Sequence, residues 1–362
     1  MLNTTVFKNK KVLLTGHTGF KGAWLTVWLH SLGAEILGYS LAPNTEPNLW
    51  NLLSQKSSGN RNAVHSIIAD IRDKEKIKKT ILDFQPDFVF HLAAQAIVRE
   101  SYNAPIETFD TNIMGTANVL DALRFLEKPC IAVMITTDKV YKNNETGQAY
   151  KENAHFGGYD PYSASKAAAE IVIDSYRNSF FNPADYGTKH HIAVASARAG
   201  NVIGGGDWAK DRLVPDIVRA LSKNEEVIIR NPNAVRPWQH VLEPLSGYLT
   251  LAEKMAECNT KYATAFNFGP NPDDTLTVKQ MAEMAVEIWG NSGKIQYPNL
   301  ENQPHEANLL SLSIKKAETE LKWKPKWNAE TALKNTINWY KNEQNRNVYD
   351  LCLEQIKKYQ EN

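Results

Sequence analysis

The first 200 residues alternate between short apolar runs and stretches in which apolar residues recur every three to four positions. Val12-Leu13-Leu14 is the first run, and it stops at Thr15-Gly16. A brief apolar run closed by a turn residue predicts a buried strand. Ala23, Trp24, Val27, Trp28 and Leu32 then repeat at helical spacing. Further runs at 35–39, 64–69, 88–92, 131–135 and 192–197 predict strands, with helical periodicity at 73–84, 106–126 and 161–180 between them. Strands alternating with helices imply right-handed crossovers and a parallel sheet covered on both faces. The expected class is α/β, a Rossmann-like doubly wound sheet.

The texture changes after Asn201. Gly204-Gly205-Gly206 forms a loop, and Pro215, Pro232, Pro237 and Pro244 interrupt the segment that follows. A helix at 245–257 and a strand at 265–268 predict a return to the main sheet, while 277–289 and 311–340 read as helical. The organisation expected is a dinucleotide-binding domain over 1–200, with returning elements around 240–270. A smaller, discontinuous substrate-binding lobe covers 201–345, and a tail covers 346–362. The charged pattern from 341 onward predicts a solvated surface helix. Repeats and low-complexity tracts are not evident.

Composition narrows the function. With 362 residues, 43% hydrophobic and 22% charged, the chain suits one large or two closely joined globular domains. Forty-one Lys plus Arg face 40 Asp plus Glu, which argues against a global field for nucleic acid or anionic membrane. Cys130, Cys258 and Cys352 are far apart, so neither a disulfide framework nor a cysteine metal site is expected. His190-His191 has no further ligands near it in sequence, and no metal is proposed. The polar start and the lack of any 18-residue apolar stretch argue against a secretory signal or membrane span. A soluble cytoplasmic protein is expected.

Candidate chemistry begins in the loop Gly16-His17-Thr18-Gly19-Phe20-Lys21-Gly22, between the first strand and first helix. In this spacing the first glycine permits a tight turn, the second lets backbone approach a pyrophosphate, and the third allows close helix–sheet contact. The helix N-terminus then faces the phosphates. The second strand ends in Gly38-Tyr39-Ser40, without a carboxylate for a ribose 2′-hydroxyl and without an arginine for a 2′-phosphate. Ser40 is the candidate for a ribose hydroxyl, and Asp70-Ile71 for the adenine edge. The fourth strand ends in small residues, Leu92, Ala93 and Ala94, which suit backbone packing against a cofactor. NAD is preferred over NADP. Asn112 and Thr136 complete the expected cofactor site.

Tyr162 and Lys166 are four residues apart, on one face of a helix. An ammonium beside a phenol favours the phenolate, giving a base for an alcohol proton as hydride leaves its carbon. The fifth strand ends in Thr136-Thr137-Asp138-Lys139. Carboxyl ends of strands in an open parallel sheet are where ligands bind, so Thr137, Asp138 and Lys139 read as a catalytic cluster.

Together the glycine loop, the strand-end Asp and Tyr-x-x-x-Lys resemble the extended short-chain dehydrogenase/reductase superfamily. His17-Thr18-Gly19-Phe20-Lys21-Gly22, Thr137-Asp138-Lys139-Val140-Tyr141, the run from Ala197 to Trp208 and Arg236-Pro237-Trp238-Gln239-His240-Val241-Leu242-Glu243 are similar to the CDP-glucose 4,6-dehydratases, over about residues 10–340. The second and fourth of these motifs are far more specific than the glycine loop. That resemblance implies oxidation of the sugar C4 hydroxyl by NAD, loss of water across C5 and C6, and return of hydride to C6. The order has a chemical reason, since a C5 proton becomes acidic only once C4 is a ketone. It implies Tyr162 as the C4 base, Lys166 as its partner and holder of the nicotinamide ribose, Thr137 on the C4 oxygen and Asp138 as acid for the C6 hydroxyl. The C5 base stays open between a neutral Lys139, another residue and a water, with His305-Glu306 able to contribute a group.

A nucleotide diphosphate needs cations, for which Arg236 and Arg212 are candidates and Arg230 a further one. Asn201 and Asn267 are implied as hydrogen-bond partners of the substrate, with Gln95 and His305 completing its expected site. Trp208 and Trp238 read as packing residues. By analogy, helices 106–126 and 161–180 form a homodimer interface. Two other readings compete. A nucleotide-sugar 4-epimerase shares C4 oxidation but needs no acid and base for elimination, and Thr137-Asp138-Lys139 argues against it. A non-catalytic dinucleotide-sensing regulator would not need the Tyr-Lys pair.

Overall fold

The computed structural model describes residues 5–55, 64–144, 147–290, 293–298 and 310–361. Its main sheet comprises β1 (Lys11–Thr15), β2 (Glu35–Ser40), β3 (Val64–Ile68), β4 (Phe88–His91), β5 (Cys130–Thr137), β6 (Ile192–Ala199) and β11 (Ala265–Phe268). These seven run parallel in the order β11-β6-β5-β4-β1-β2-β3. Every residue of β5 and β6 is buried, as expected for central strands covered on both faces. Side chains alternate between the two faces. Leu13, Leu37, Val89, Ala132 and Met134 enter one core, while Val12, Leu14, Ile36, Phe90 and Val133 enter the other.

Crossovers are made by α1 (Phe20–Ser31), α2 (Leu49–Gln55), α3 (Lys74–Phe84), a broken helix between β4 and β5, and α7 (Pro161–Ser179). The broken helix consists of α4 (Val98–Asn103), α5 (Pro105–Phe109), a π-helical turn at Asp110–Met114 and α6 (Gly115–Leu123). The chain passes from β1 to β2 on one side and returns to β4 on the other. That reversal opens a crevice at the carboxyl ends of β1 and β4.

The rest of the chain forms a lobe beside this crevice and then returns to the sheet. It contains α8 (Leu213–Ser222) and α10 (Val278–Trp289). Two-residue strands pair there: β7 (Val202–Ile203) with β10 (Gln239–His240), β8 (Val227–Ile228) with β13 (Ile295–Gln296), and β9 (Val235–Arg236) with β12 (Leu276–Thr277). Helix α9 (Leu242–Glu257) leads back to β11. Among the described residues no helix is long and apolar enough to cross a membrane.

Two sequence expectations change. The single helix predicted over 311–340 is a bridge at Leu312, a π-helical turn at Ala317–Leu321, an extended stretch and α11 (Ala329–Asn342). Lys322 closes the turn in the left-handed region, Pro325 cannot continue a helix, and Asn328 caps α11 by accepting from the Thr331 amide. The tail helix, α12 (Val348–Glu361), is not a solvated surface helix. Val348, Leu351, Cys352, Ile356 and Tyr359 form a buried stripe. It packs on α1, with the Tyr359 ring edge-on to Trp28 at 5.9 Å and His30 Nδ1 hydrogen-bonded to Tyr349 at 2.6 Å.

Candidate active site

A cleft of about 1770 Å³ runs along the carboxyl ends of β1 to β6 and is closed on one side by the second lobe. Of the predicted cofactor residues, Gly16, Gly19, Phe20, Lys21, Gly22, Ser40, Asp70, Ile71, Leu92, Ala93, Ala94, Thr136, Tyr162 and Lys166 all line it. Gly16 has φ +75°, and a Cβ there would lie 2.8 Å from the Ala93 nitrogen. A Cβ on Gly22 would lie 2.1 Å from the Gly16 carbonyl oxygen. The loop is therefore closed to any larger residue at both ends. Gly19 caps α1 without a side-chain hydrogen bond, and the first turn holds no acid. Its amides are left for an anionic ligand, and these residues fit a dinucleotide diphosphate.

Beyond the loop, Thr18 Oγ1 and Ser40 Oγ lie 2.8 Å apart, joining the loop to the end of β2. The Asp70 carboxylate is gripped by Arg72, with Nη2 to Oδ2 at 2.6 Å. His17 turns inward under Gly38 and meets Ser66 Oγ at 2.7 Å. Burial pulls its pKa down to about 4, so the ring is neutral.

Thr137, Asp138 and Lys139 line the centre of the cleft together with Tyr162 and Lys166. Asp138 is buried, and its Oδ1 accepts from Thr137 Oγ1 at 2.9 Å. Lys139 Nζ lies 3.5 Å from Asp138 Oδ1 and 3.2 Å from Asn201 Oδ1. A Cβ on Gly200 would stand 3.0 Å from Asp138 Oδ2, so glycine there preserves the carboxylate's space. Asp160 caps α7 through the Ser163 amide at 2.9 Å and fixes the turn that presents Tyr162.

Tyr162 and Lys166 both line the cleft from the first turns of α7. Lys166 Nζ donates to the Ile135 carbonyl at 3.1 Å. Burial pushes the Tyr162 pKa up to about 12, opposed by a hydrogen bond with Thr137 and by the charge of Arg212. Arg212 is itself held by Asp207 Oδ2 at 2.7 Å. Lys166 is brought down to about 8 by burial, with Glu170 opposing. Lys21 is also brought down to about 8, first by burial and then by Arg212.

On the substrate side, Asn201, Arg212, Arg230 and Arg236 line the cleft. Asn267, Gln95 and Asn112 do not. Asn267 is fully buried, accepting from the Tyr141 hydroxyl at 2.7 Å and donating to the Tyr150 carbonyl at 3.0 Å. Gln95 donates to Thr108 Oγ1 at 2.9 Å. Asn112, inside the π-helical turn, accepts from the Gln95 amide at 2.9 Å and donates to Ser165 Oγ at 2.8 Å. All three are held by protein groups around the cleft. His305 and Glu306 lie outside the described residues. The Trp208 ring packs edge-on against Tyr340 at 5.0 Å, and Trp238 Nε1 donates to the Leu276 carbonyl at 3.2 Å. Sequence reading missed Arg99 and Asp211, which also line the cleft and carry no motif of their own, and Ser163, which lies inside the Tyr-x-x-x-Lys motif.

Comparison with known proteins shows the family. Residues 13–336 match the GDP-mannose 4,6 dehydratase family. The chain is 46% identical to the CDP-glucose 4,6-dehydratase of Salmonella typhimurium, over 94% of this chain and 93% of that protein. It is 24% identical to the dTDP-glucose 4,6-dehydratase of Shigella flexneri, covering 91% and 92% of the two. In fold it is similar to the crystal structure of dTDP-glucose 4,6-dehydratase from Bacillus anthracis in complex with NAD, with a TM-score of 0.75, 21% identity and coverage of 94% and 99%. The UDP-glucose 4-epimerase of Thermotoga maritima is similar in fold to the same degree, with a TM-score of 0.74, 21% identity and coverage of 92% and 99%.

Proposed function

The chain belongs to the nucleotide-sugar 4,6-dehydratases of the extended short-chain dehydrogenase/reductase superfamily, and from that membership we propose that it converts CDP-glucose to CDP-4-keto-6-deoxyglucose with NAD as resident cofactor. The observation carrying this reading is the Asp138–Lys139 ion pair in the same cleft as Tyr162, which we assign as the acid and base of elimination. A 4-epimerase has no use for such a pair.

When bound, NAD takes a hydride from C4 and returns it to C6. The glycine loop and the first turn of α1 would hold its diphosphate, and Lys166 its nicotinamide ribose. Tyr162 removes the C4 hydroxyl proton while Thr137 hydrogen-bonds the same oxygen. Lys139 then moves one proton from its ammonium to the Asp138 carboxylate. That transfer leaves a neutral amine and a carboxylic acid, the two forms elimination requires. The amine takes the C5 proton, electrons pass through the enolate to expel the C6 oxygen, and Asp138 protonates it as water. The ionised pair is restored. When hydride returns to C6, C5 regains a proton, and the one Tyr162 holds closes the count. Arg236 and Arg212 supply positive charge for the diphosphate, and Asn201 keeps Lys139 in reach of the sugar.

A screen of CDP-, dTDP-, GDP- and UDP-hexoses with NAD tests the reading. A 4-keto-6-deoxy chromophore in alkali, formed from CDP-glucose, supports it. CDP-galactose as sole product overturns it in favour of epimerisation. The same reading includes a homodimer. Tyr102, Ile106 and Met114 between β4 and α6, and Ile171 on α7, expose large apolar side chains that a second copy would cover. Light scattering at the monomer mass would remove that part.

A further inference from the structure

We propose that Glu170 is a positioning residue of the reaction: from one helical turn beyond Lys166, its buried carboxylate fixes the carboxyl end of β5 and stands as the counter-charge on the same helix face as Lys166. Glu170 does not line the cleft and is buried between α7, β5 and β6. Its Oε1 accepts from Thr136 Oγ1 and from Arg198 Nε, the latter at 2.8 Å. Its Oε2 accepts from Ser196 Oγ at 2.9 Å and Arg198 Nη2 at 2.8 Å. Thr136 directly precedes Thr137 and Asp138, so this carboxylate clamps the strand end that presents the acid.

Arg198 spends its remaining donor group outward. Nη1 donates to the Tyr141 hydroxyl at 2.7 Å and the Glu152 carbonyl at 2.8 Å. Tyr141 donates in turn to Asn267 Oδ1 at 2.7 Å, and the Asn267 amide donates to the Ser313 carbonyl at 3.3 Å. A continuous set of bonds thus runs from α7 through β5, β6 and β11 to the segment around Ser313. The motif residue Arg198 serves this network and not the ligand.

The electrostatics follow from the same placement. The polar partner of Lys166 Nζ is a neutral carbonyl, that of Ile135. The charged and titratable groups that share its field are Lys21 from α1, His91 from β4 and Glu170 from its own helix. His91 is buried against Thr15 and Thr116, and its pKa falls to about 3, so it is neutral. Lys21 repels a second ammonium. Glu170 supplies the opposing negative charge, and it stays ionised because Arg198 and the surrounding donors outweigh its burial. Arg177 also senses Glu170 from the far end of α7.

The test is Glu170→Gln, which keeps the shape and removes the charge. Titration of Lys166, followed by NMR of the lysine ε-carbons with Lys166→Met as assignment control, should move down by at least about one pH unit. The alkaline limb of kcat/KM should move with it, while KM for CDP-glucose stays within about twofold. Because Arg198 would be left without its counter-charge, Glu170→Gln combined with Arg198→Met, which removes both charges, is measured alongside. An unchanged Lys166 titration in either folded variant overturns the proposal. Failure of both to fold also overturns it, since the pair would then serve the fold alone. The kinetic arm rests on the dehydration reading, but the NMR arm needs no substrate. A shifted titration in a protein inactive on CDP-glucose therefore counts against the assigned reaction and not against Glu170.

Discussion

The hydroxyl of Tyr359 donates to the buried carboxylate of Glu243 over 2.6 Å, across 116 residues of chain. Glu243 also accepts from the backbone amides of Lys326 and Trp327 at 3.0 and 2.7 Å. The carboxylate thereby ties α9, the stretch before α11 and α12 together. Tyr359→Phe leaves this buried group short of a donor and should cost about 1.5–3 kcal/mol. Urea unfolding followed by circular dichroism should show a lower midpoint with an unchanged slope. Deletion of 347–362 removes the whole stripe over Trp28 and should abolish cooperative unfolding.

Tyr162→Phe removes the group that accepts the C4 proton while keeping the ring in its packing. Dehydration should fall at least about 100-fold. The melting temperature and NAD binding, followed by calorimetry, should stay close to wild type. A variant retaining most of its rate would remove Tyr162 from the chemistry.

Asp138→Asn and Lys139→Met separate oxidation from elimination. In both, C4 oxidation should proceed and the next step stall, so reduced nicotinamide should accumulate on the enzyme. Its absorbance in a single turnover reads this directly. Normal turnover by Asp138→Asn would exclude it as the acid for the C6 hydroxyl.

Lys166 should weaken the fold that uses it. Burial brings its pKa from 10.5 to about 8. The folded chain then binds that proton less tightly than the unfolded chain, so stability is present above pH 10.5 and lost as pH falls through about 8. Lys166→Met should therefore be the more stable protein at pH 7, by about 1–3 kcal/mol, allowing for the donor that the Ile135 carbonyl loses. The advantage should vanish as pH rises towards 10.5. Scanning calorimetry across that range checks the sign, and the variant should be inactive throughout.

What the sequence made legible was local. The strands of the main sheet are continuous apolar runs because both their faces are covered, and such runs stand out against any polar background. The glycine loop, Thr137-Asp138-Lys139 and the Tyr-Lys pair are each contiguous or one turn apart, so their chemistry survives without a fold. Asn267 and Asn112 did not, because polarity alone does not distinguish a side chain facing a ligand from one satisfied within the wall. The bonds of Asn267 reach Tyr141 and Ser313, 126 and 46 residues away. The stripe on α12 was hidden by Glu354, Lys357 and Lys358 interleaved with it. The effect of the Arg212 charge on Tyr162 needed the second lobe in place. Glu170 was within reach, since four-residue spacing from Lys166 is the same signal that joined Lys166 to Tyr162.

Packing of α12 on α1 sets a condition on how the enzyme is made. The helix that starts at the glycine loop leaves the ribosome well before α12, so His30 must wait 319 residues for Tyr349. Until then Trp28 lacks the Tyr359 ring that packs edge-on against it. Protection during synthesis, by a chaperone or by slow translation, would therefore matter most at the very segment that receives the dinucleotide.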